Sequence, residues 1–285
     1  MHESYFKTVA KRFCKHKVGL ICLIIIFLII IIALLAPVIA PYNPNQIGTD
    51  FGKGPSKAHL LGTDLVGRDV LSRVIYGTRI SLLVAFLATF MATVIGIVLG
   101  LLSGYYGGWV DMVIMRFTDM IMSFPYILLI IVASAVFKPG LWNIIVILGL
   151  VVWPGAARLV RGNVLDIRQQ NFVRGSELAG MSKRYILFSD ILPNVIAPVL
   201  IFSTNVLGLS ILTEASLSFL GMGVQPPTAS LGNMINDAQS LSVMQNMGWL
   251  WIPPGLIIII LAVSINFVGD ALRDALDATS TSQSK

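Results

Sequence analysis

The chain has 285 residues, 56% of them hydrophobic and only 12% charged, with a mean hydropathy of +0.84. Soluble domains carry about 25% charged residues, so this balance leaves no evident soluble domain and points to a polytopic membrane protein. The net charge of +6 does not indicate nucleic acid, because Lys and Arg are spread beside apolar runs, as topology signals are.

The N-terminus carries Lys7, Lys11, Arg12, Lys15 and Lys17, followed by an apolar run over 18–40. A signal peptide has an apolar core of only about 7–15 residues. This run is long enough to cross a bilayer, which takes about 20 residues, so the sequence predicts an uncleaved first span. Pro41, Pro44 and Pro55 keep the next segment irregular. Its Gly48-Thr49-Asp50-Phe51-Gly52-Lys53-Gly54 is not a phosphate loop: one residue is missing between the glycines, and Gly54 stands where Ser or Thr would hold magnesium. Val66, Val70, Leu71, Val74 and Ile75 then recur at helical spacing, opposite Arg68, Asp69, Ser72 and Arg73. This predicts an external amphipathic helix capped by Thr63 or Asp64, with an Asp69–Arg73 pair one turn apart.

The second span is expected over 80–105. Its Gly96, Gly100 and Gly104 form a flat strip for close helix approach, either inside the bundle or against a partner. The third is expected over 120–137, with Arg116 and Asp119 spaced to pair at its entry. The fourth is expected over 141–157, ending at Trp153-Pro154.

A polar stretch follows over 158–194, with Arg158, Arg161, Arg168, Arg174, Lys183 and Arg184. Residues 171–180 and 182–191 read as two short helices around Gly180, which suits a C-terminal stop with positive φ. Ser182 can cap the second helix, and Pro193 is expected to restrict Leu192 before the fifth span. Such a hairpin is stiff enough to transmit a push.

The fifth span is expected over 195–220 and holds Glu214. A proton relay would need a second acid or His at helical spacing; without one, Glu214 reads as a structural or pathway-lining carboxylate. Residues 221–250 contain no Lys or Arg, as an external loop would. The sixth span is expected over 251–268, with Asn266 inside it and Asp270, Arg273 and Asp274 at its exit. Six spans put both termini on one side. Fourteen Lys and Arg then fall on that side and six on the other, which places the termini in the cytoplasm. Cys14 and Cys22, and the scattered His2, His16 and His59, form neither a disulfide framework nor a metal site. No catalytic motif is present, so any ATP that energises the chain must be bound elsewhere.

Five blocks, in order, resemble the permease subunits of bacterial peptide/nickel ABC importers, nearest the C-type subunit of dipeptide and oligopeptide systems. They are Leu61-Gly62-Thr63-Asp64 with Gly67-Arg68-Asp69, Ser72-Arg73 and Tyr76-Gly77; Gly104-Tyr105, Gly107-Gly108, Asp111, Met115-Arg116 and Asp119; the loop spacing of Gly180, Leu192 and Pro193; Glu214, Leu217-Ser218-Phe219-Leu220-Gly221 and Pro226-Pro227; and Pro254-Gly255, Asn266, Gly269-Asp270, Arg273-Asp274 and Asp277. The family's loop has Glu-Ala-Ala where Arg174, Gly175 and Ser176 stand here, and Glu177, one turn from Arg174, is expected either to pair with it or to substitute as the acidic contact. The resemblance implies an all-α integral membrane protein of the bacterial inner membrane. It further implies a tail, first helix and external loop over 1–79, and a five-helix permease core over 80–285. The implied partners are a homologous permease forming a heterodimer, two cytoplasmic ATPases that hold ATP and Mg, an external binding protein, a peptide substrate and lipid. Nickel or a metal chelate is the alternative cargo. A proton-driven carrier would show an internal repeat and paired membrane acids, which are not seen, and a mere anchor would not need polar-dotted spans.

Overall fold

Apolar runs become helices here because backbone removed from water has to satisfy its own hydrogen bonds. The computed structural model describes residues 5–283, with side chains over 9–276. The side chains of Lys7 and Asp277 thus lie outside the described residues, as do His2 and Lys285 entirely. The described residues are helices and turns, with no named strand.

Helix α1 (Tyr5–Phe13) leads into α2 (Lys17–Leu34), which His16 caps by accepting the Gly19 N–H at 3.1 Å. The first apolar run breaks at Leu35 and resumes as α3 (Ala36–Ile39), with Pro37 in its first turn. After an irregular segment comes α4 (Val70–Tyr106), 37 residues long. The expected amphipathic helix is not separate: its second half is the start of α4. Val66 and Arg68 precede it in a turn where Asp64 Oδ1 accepts both their N–H groups, at 3.0 and 2.8 Å. A side chain that takes backbone donors in this way competes with helix, and Gly67 at φ +80° completes the stop. The cap is Asp69, accepting from Ser72 N at 2.8 Å.

The expected third span is also revised. Helix α5 (Gly108–Met122) and α6 (Tyr126–Phe137) meet at 86°. Pro125 supplies no N–H and disfavours helix at Phe124, so the ladder stops there. By contrast α7 (Leu141–Arg168) passes through Pro154 and runs eleven residues beyond the expected end of the fourth span, at 157. Next come α8 (Asn171–Leu178), α9 (Lys183–Tyr185), a π-helical stretch Ile186–Ile191, and α10 (Leu192–Phe219). Leu192 is helical (φ −54°, ψ −45°) despite Pro193, because the wider π turn relieves the crowding before the proline. Two short helices, α11 (Leu231–Asn236) and α12 (Leu241–Asn246), precede α13 (Ile252–Gln283). Five segments are long and apolar enough to cross a membrane, or six if the bent α5–α6 pair counts as one.

The tightest helix pair is α4 on α7. A Cβ placed at Gly100 would lie 2.6 Å from Val160 Cβ, and one at Gly104 2.7 Å from Val164 Cβ. Gly96 meets Ala156 in the same way, so the glycine strip is used inside the chain. Helices α10, α13 and α2 pack onto the rest of α4, burying Ala85, Ile211, Leu261 and Ile265.

Candidate functional site

The hairpin that follows α7 is built by its caps. Helix α8 ends at Leu178; Gly180 (φ +74°) donates to Glu177 O at 3.1 Å and Met181 donates to Ser176 O at 3.1 Å. These two bonds are a Schellman closure, which needs a residue in the left-handed region at Gly180. A Cβ there would meet nothing within 4 Å, so conformation alone selects glycine. Ser182 then caps the next turn through Tyr185 N at 3.3 Å.

One face of the hairpin is anchored. Val173 is fully buried with Val160, Val164, Ile186 and Ile191. Arg168 donates to Tyr105 O at 2.9 Å and lies over the Tyr105 ring, while Lys183 lies over the Tyr106 ring. The other face is bare. Arg174, Gly175, Glu177 and Gly180 are exposed, Ser176 is half-buried, and Leu178 is 90% exposed. No ion pair joins Arg174 to Glu177 among the described residues. Leu192, half-buried against the same core, and Pro193 form the root of the hairpin rather than its tip.

The polar groups of the spans separate into clusters. Glu214 is 0% exposed and accepts from Ser81 Oγ and Ser218 Oγ, both at 2.7 Å. Ser81 Oγ also takes the Leu231 N–H at 3.3 Å, and Ser218 Oγ the Val224 N–H at 3.1 Å. Glu214 thus joins α4, α10 and the following loop. The expected Arg116–Asp119 pair does not form: Asp119 accepts from Arg158 Nη2 at 2.8 Å, because α7 presents a closer cation than the same helix does. Arg116, Asn266 and Asp270 are exposed on their helices and are not brought together with Glu214.

Two clusters are absent from the sequence-level site. Asp111 accepts from Arg161 Nε and Nη2 at 2.5 and 2.6 Å, and also from Ser103 Oγ. At the opposite end, Asp64 and Asp237 bracket buried Arg73, and Arg68 reaches both acids at 2.6 and 3.1 Å. Arg73 therefore pairs with Asp64 and Asp237, not with Asp69, which holds His59 at 2.9 Å. Burial pushes the Asp237 carboxyl above its ordinary value, against the pull of Arg73 and Arg68. Asp237 is the only acid in the 221–250 loop, and two arginines upstream needed a counter-charge; that was the available signal.

A family model described as binding-protein-dependent transport system inner membrane component matches residues 96–281. The chain belongs to that family. A second model, the N-terminal TM domain of oligopeptide transport permease C, matches residues 4–55 of this transport component. A putative peptide permease protein of Brucella suis is 38% identical over 269 residues, covering 94% of this chain and 89% of that protein. The dipeptide transport system permease protein DppC of Haemophilus influenzae is 39% identical over 93% of this chain and 92% of its own length. The glutathione transport system permease protein GsiD of Escherichia coli O6:K15:H31 is 41% identical over 94% and 88%. Among solved structures, the inward-facing MetNI methionine ABC transporter matches with a TM-score of 0.59 at 20% identity, covering 72% of this chain and 97% of that one. This family member is therefore a multi-pass permease subunit with the ABC-transporter permease fold, and the hairpin, Asp111–Arg161 and Glu214 all lie inside the matched region.

Proposed function

We propose that this chain forms, with a second homologous permease, the pathway of an ATP-driven importer of di- and oligopeptides in the bacterial inner membrane. Its termini and the Gly180 hairpin lie in the cytoplasm, in keeping with the bias of Lys and Arg. Two cytoplasmic ATPases hold ATP and Mg and dock on the hairpin, and this chain binds no cofactor of its own. An external binding protein delivers peptide to the face built by 41–79 and 221–250. The printed names of the dipeptide and glutathione permease relatives support a peptide cargo.

The observation that carries this reading is the division of the hairpin. Val173 is locked in the core while Leu178, five residues on, is 90% exposed on a capped turn. Leu178 stands with exposed Phe172, Met181 and Tyr185 on the same hairpin, and an exposed apolar group of this size on a rigid support favours a docking surface. Arg174, Gly175, Ser176 and Glu177 flank it, with Glu177 as the acidic contact, and Leu192 and Pro193 pass motion into α10.

The test is uptake of a dipeptide by the assembled complex in proteoliposomes. Uptake should require ATP, and G180P should insert normally yet lose ATP-driven transport because the Schellman turn cannot form. L178D should release the ATPases without lowering the melting temperature. Uptake indifferent to ATP would refute the reading.

A further inference from the structure

Asp119 and Arg158 form an ion pair whose side chains are each 51% exposed. Asp119 directly precedes the apolar run over 120–137 and Arg158 directly follows that over 141–157, so the pair sits where both runs meet the polar stretch. Ionisable groups at such places pair with one another and line water-filled pathways.

Beside the pair is an open groove of about 430 Å³ between the α5–α6 bend, α7 and α10, walled by Met122, Phe124, Tyr126, Pro154, Gly155 and Phe202. Met122 is three residues beyond Asp119, and Pro154 and Gly155 are four and three before Arg158. Helical spacing therefore puts the charges and the groove wall on the same faces. The volume is in the range of small-ligand sites, roughly 300–1,000 Å³.

We infer that the Asp119–Arg158 pair and this groove form a passage site for the two charged termini and one apolar side chain of a short peptide. The inference rests on the peptide reading above. Asp119 accepts from the peptide ammonium, and the planar Arg158 fork takes its carboxylate. One ion pair is exchanged for two, with no net charge buried. The gain over the resting pair is small, which suits a site a cargo must leave as easily as it enters.

The test uses the complete complex in proteoliposomes, with L-alanyl-L-phenylalanine at saturating binding protein. D119N and R158Q are expected to lower the uptake rate about tenfold, the scale of one lost charged hydrogen bond, with all subunits recovered in the complex. D119E, which keeps the charge, retains most of the uptake. Photoreactive L-alanyl-p-benzoyl-L-phenylalanine labels Met122 or Phe202 during turnover of the wild type, and about tenfold less in D119N or R158Q. Wild-type uptake and labelling in both neutral variants would overturn the inference alone. Loss of the second permease from the variant complexes would also overturn it, making the pair a subunit contact. A wild-type complex that imports no peptide would instead remove the peptide reading, and this site with it.

Discussion

Asp111 and Arg161, fifty residues apart in sequence, share a bidentate ion pair at 2.5 and 2.6 Å that clamps the start of α5 onto α7. Lys cannot reproduce the planar fork, so R161K loses one of the two bonds and misaligns the other. The expected cost is about 1.5–3 kcal/mol, read as a lower melting temperature of the purified complex. D111N should match it, and the double variant should cost less than the two singles added together.

The α4–α7 contact predicts opposite outcomes for two glycines. G100V drives a branched side chain into Val160 and the Ala157 carbonyl, and backbone separation is the only relief. Overpacking of this kind costs about 1–3 kcal/mol or more. Gly162 on α7 has open space where a Cβ would go. G162A should therefore be neutral or stabilising by up to about 1 kcal/mol, through helix propensity alone. Thermal melting of both variants checks the pair.

Glu214 holds together two serine hydroxyls that each also accept a loop N–H. E214A removes both acceptors at a buried site and should cost about 2–5 kcal/mol, since an unsatisfied buried hydroxyl costs about 1–3 kcal/mol. E214Q keeps one carbonyl acceptor and should be milder. It should also keep ATP-driven uptake, because a clamp needs no proton transfer. Uptake abolished in E214Q at full stability would assign the carboxylate a relay role instead.

Asp237 gives a pH signature. Its carboxyl is raised above the ordinary 3.8 by burial, so the folded protein holds this proton more tightly than the unfolded chain. The stabilisation from this group is complete below pH 3.8 and is lost as pH rises through the elevated value. D237N lacks that dependence. Its melting temperature should gain on the wild type as pH increases from 3.8, and a constant difference across that window would contradict the assignment. Asp50 has the opposite sign: the Lys53 ammonium at 2.7 Å lowers its carboxyl, so its contribution is present at neutral pH and fades only in stronger acid.

What could be read from the residues, and what could not, divides along physical lines. The capping signals at Gly180 and Ser182 are local features and both caps formed, while the second hairpin helix expected over 182–191 runs on through the π turn into α10. The bend at Pro125 was hidden because Phe124 and Tyr126 keep the window apolar while the proline breaks the ladder. The helical continuity of Leu192 through Pro193 depended on a π turn that no residue pattern announces. Ion pairs fared worst. Spacing along one helix offered Arg116 to Asp119 and Asp69 to Arg73, whereas the folded partners come from α7, from the turn before α4 and from the loop beyond α10. Electrostatic partners are chosen by tertiary approach, which one-dimensional periodicity does not encode.

The segment from Lys183 to Phe219 is helical throughout its 37 residues, the π turn included. In the proposed importer this segment is a lever roughly 50 Å long, with the capped turn at one end and the Glu214 clamp near the other. A rotation of about 5° at the near end sweeps the far end through roughly 4 Å, more than the length of the hydrogen bonds to Ser81 and Ser218. On that proposal, so small an angle at the docking end is enough to break the clamp at the other.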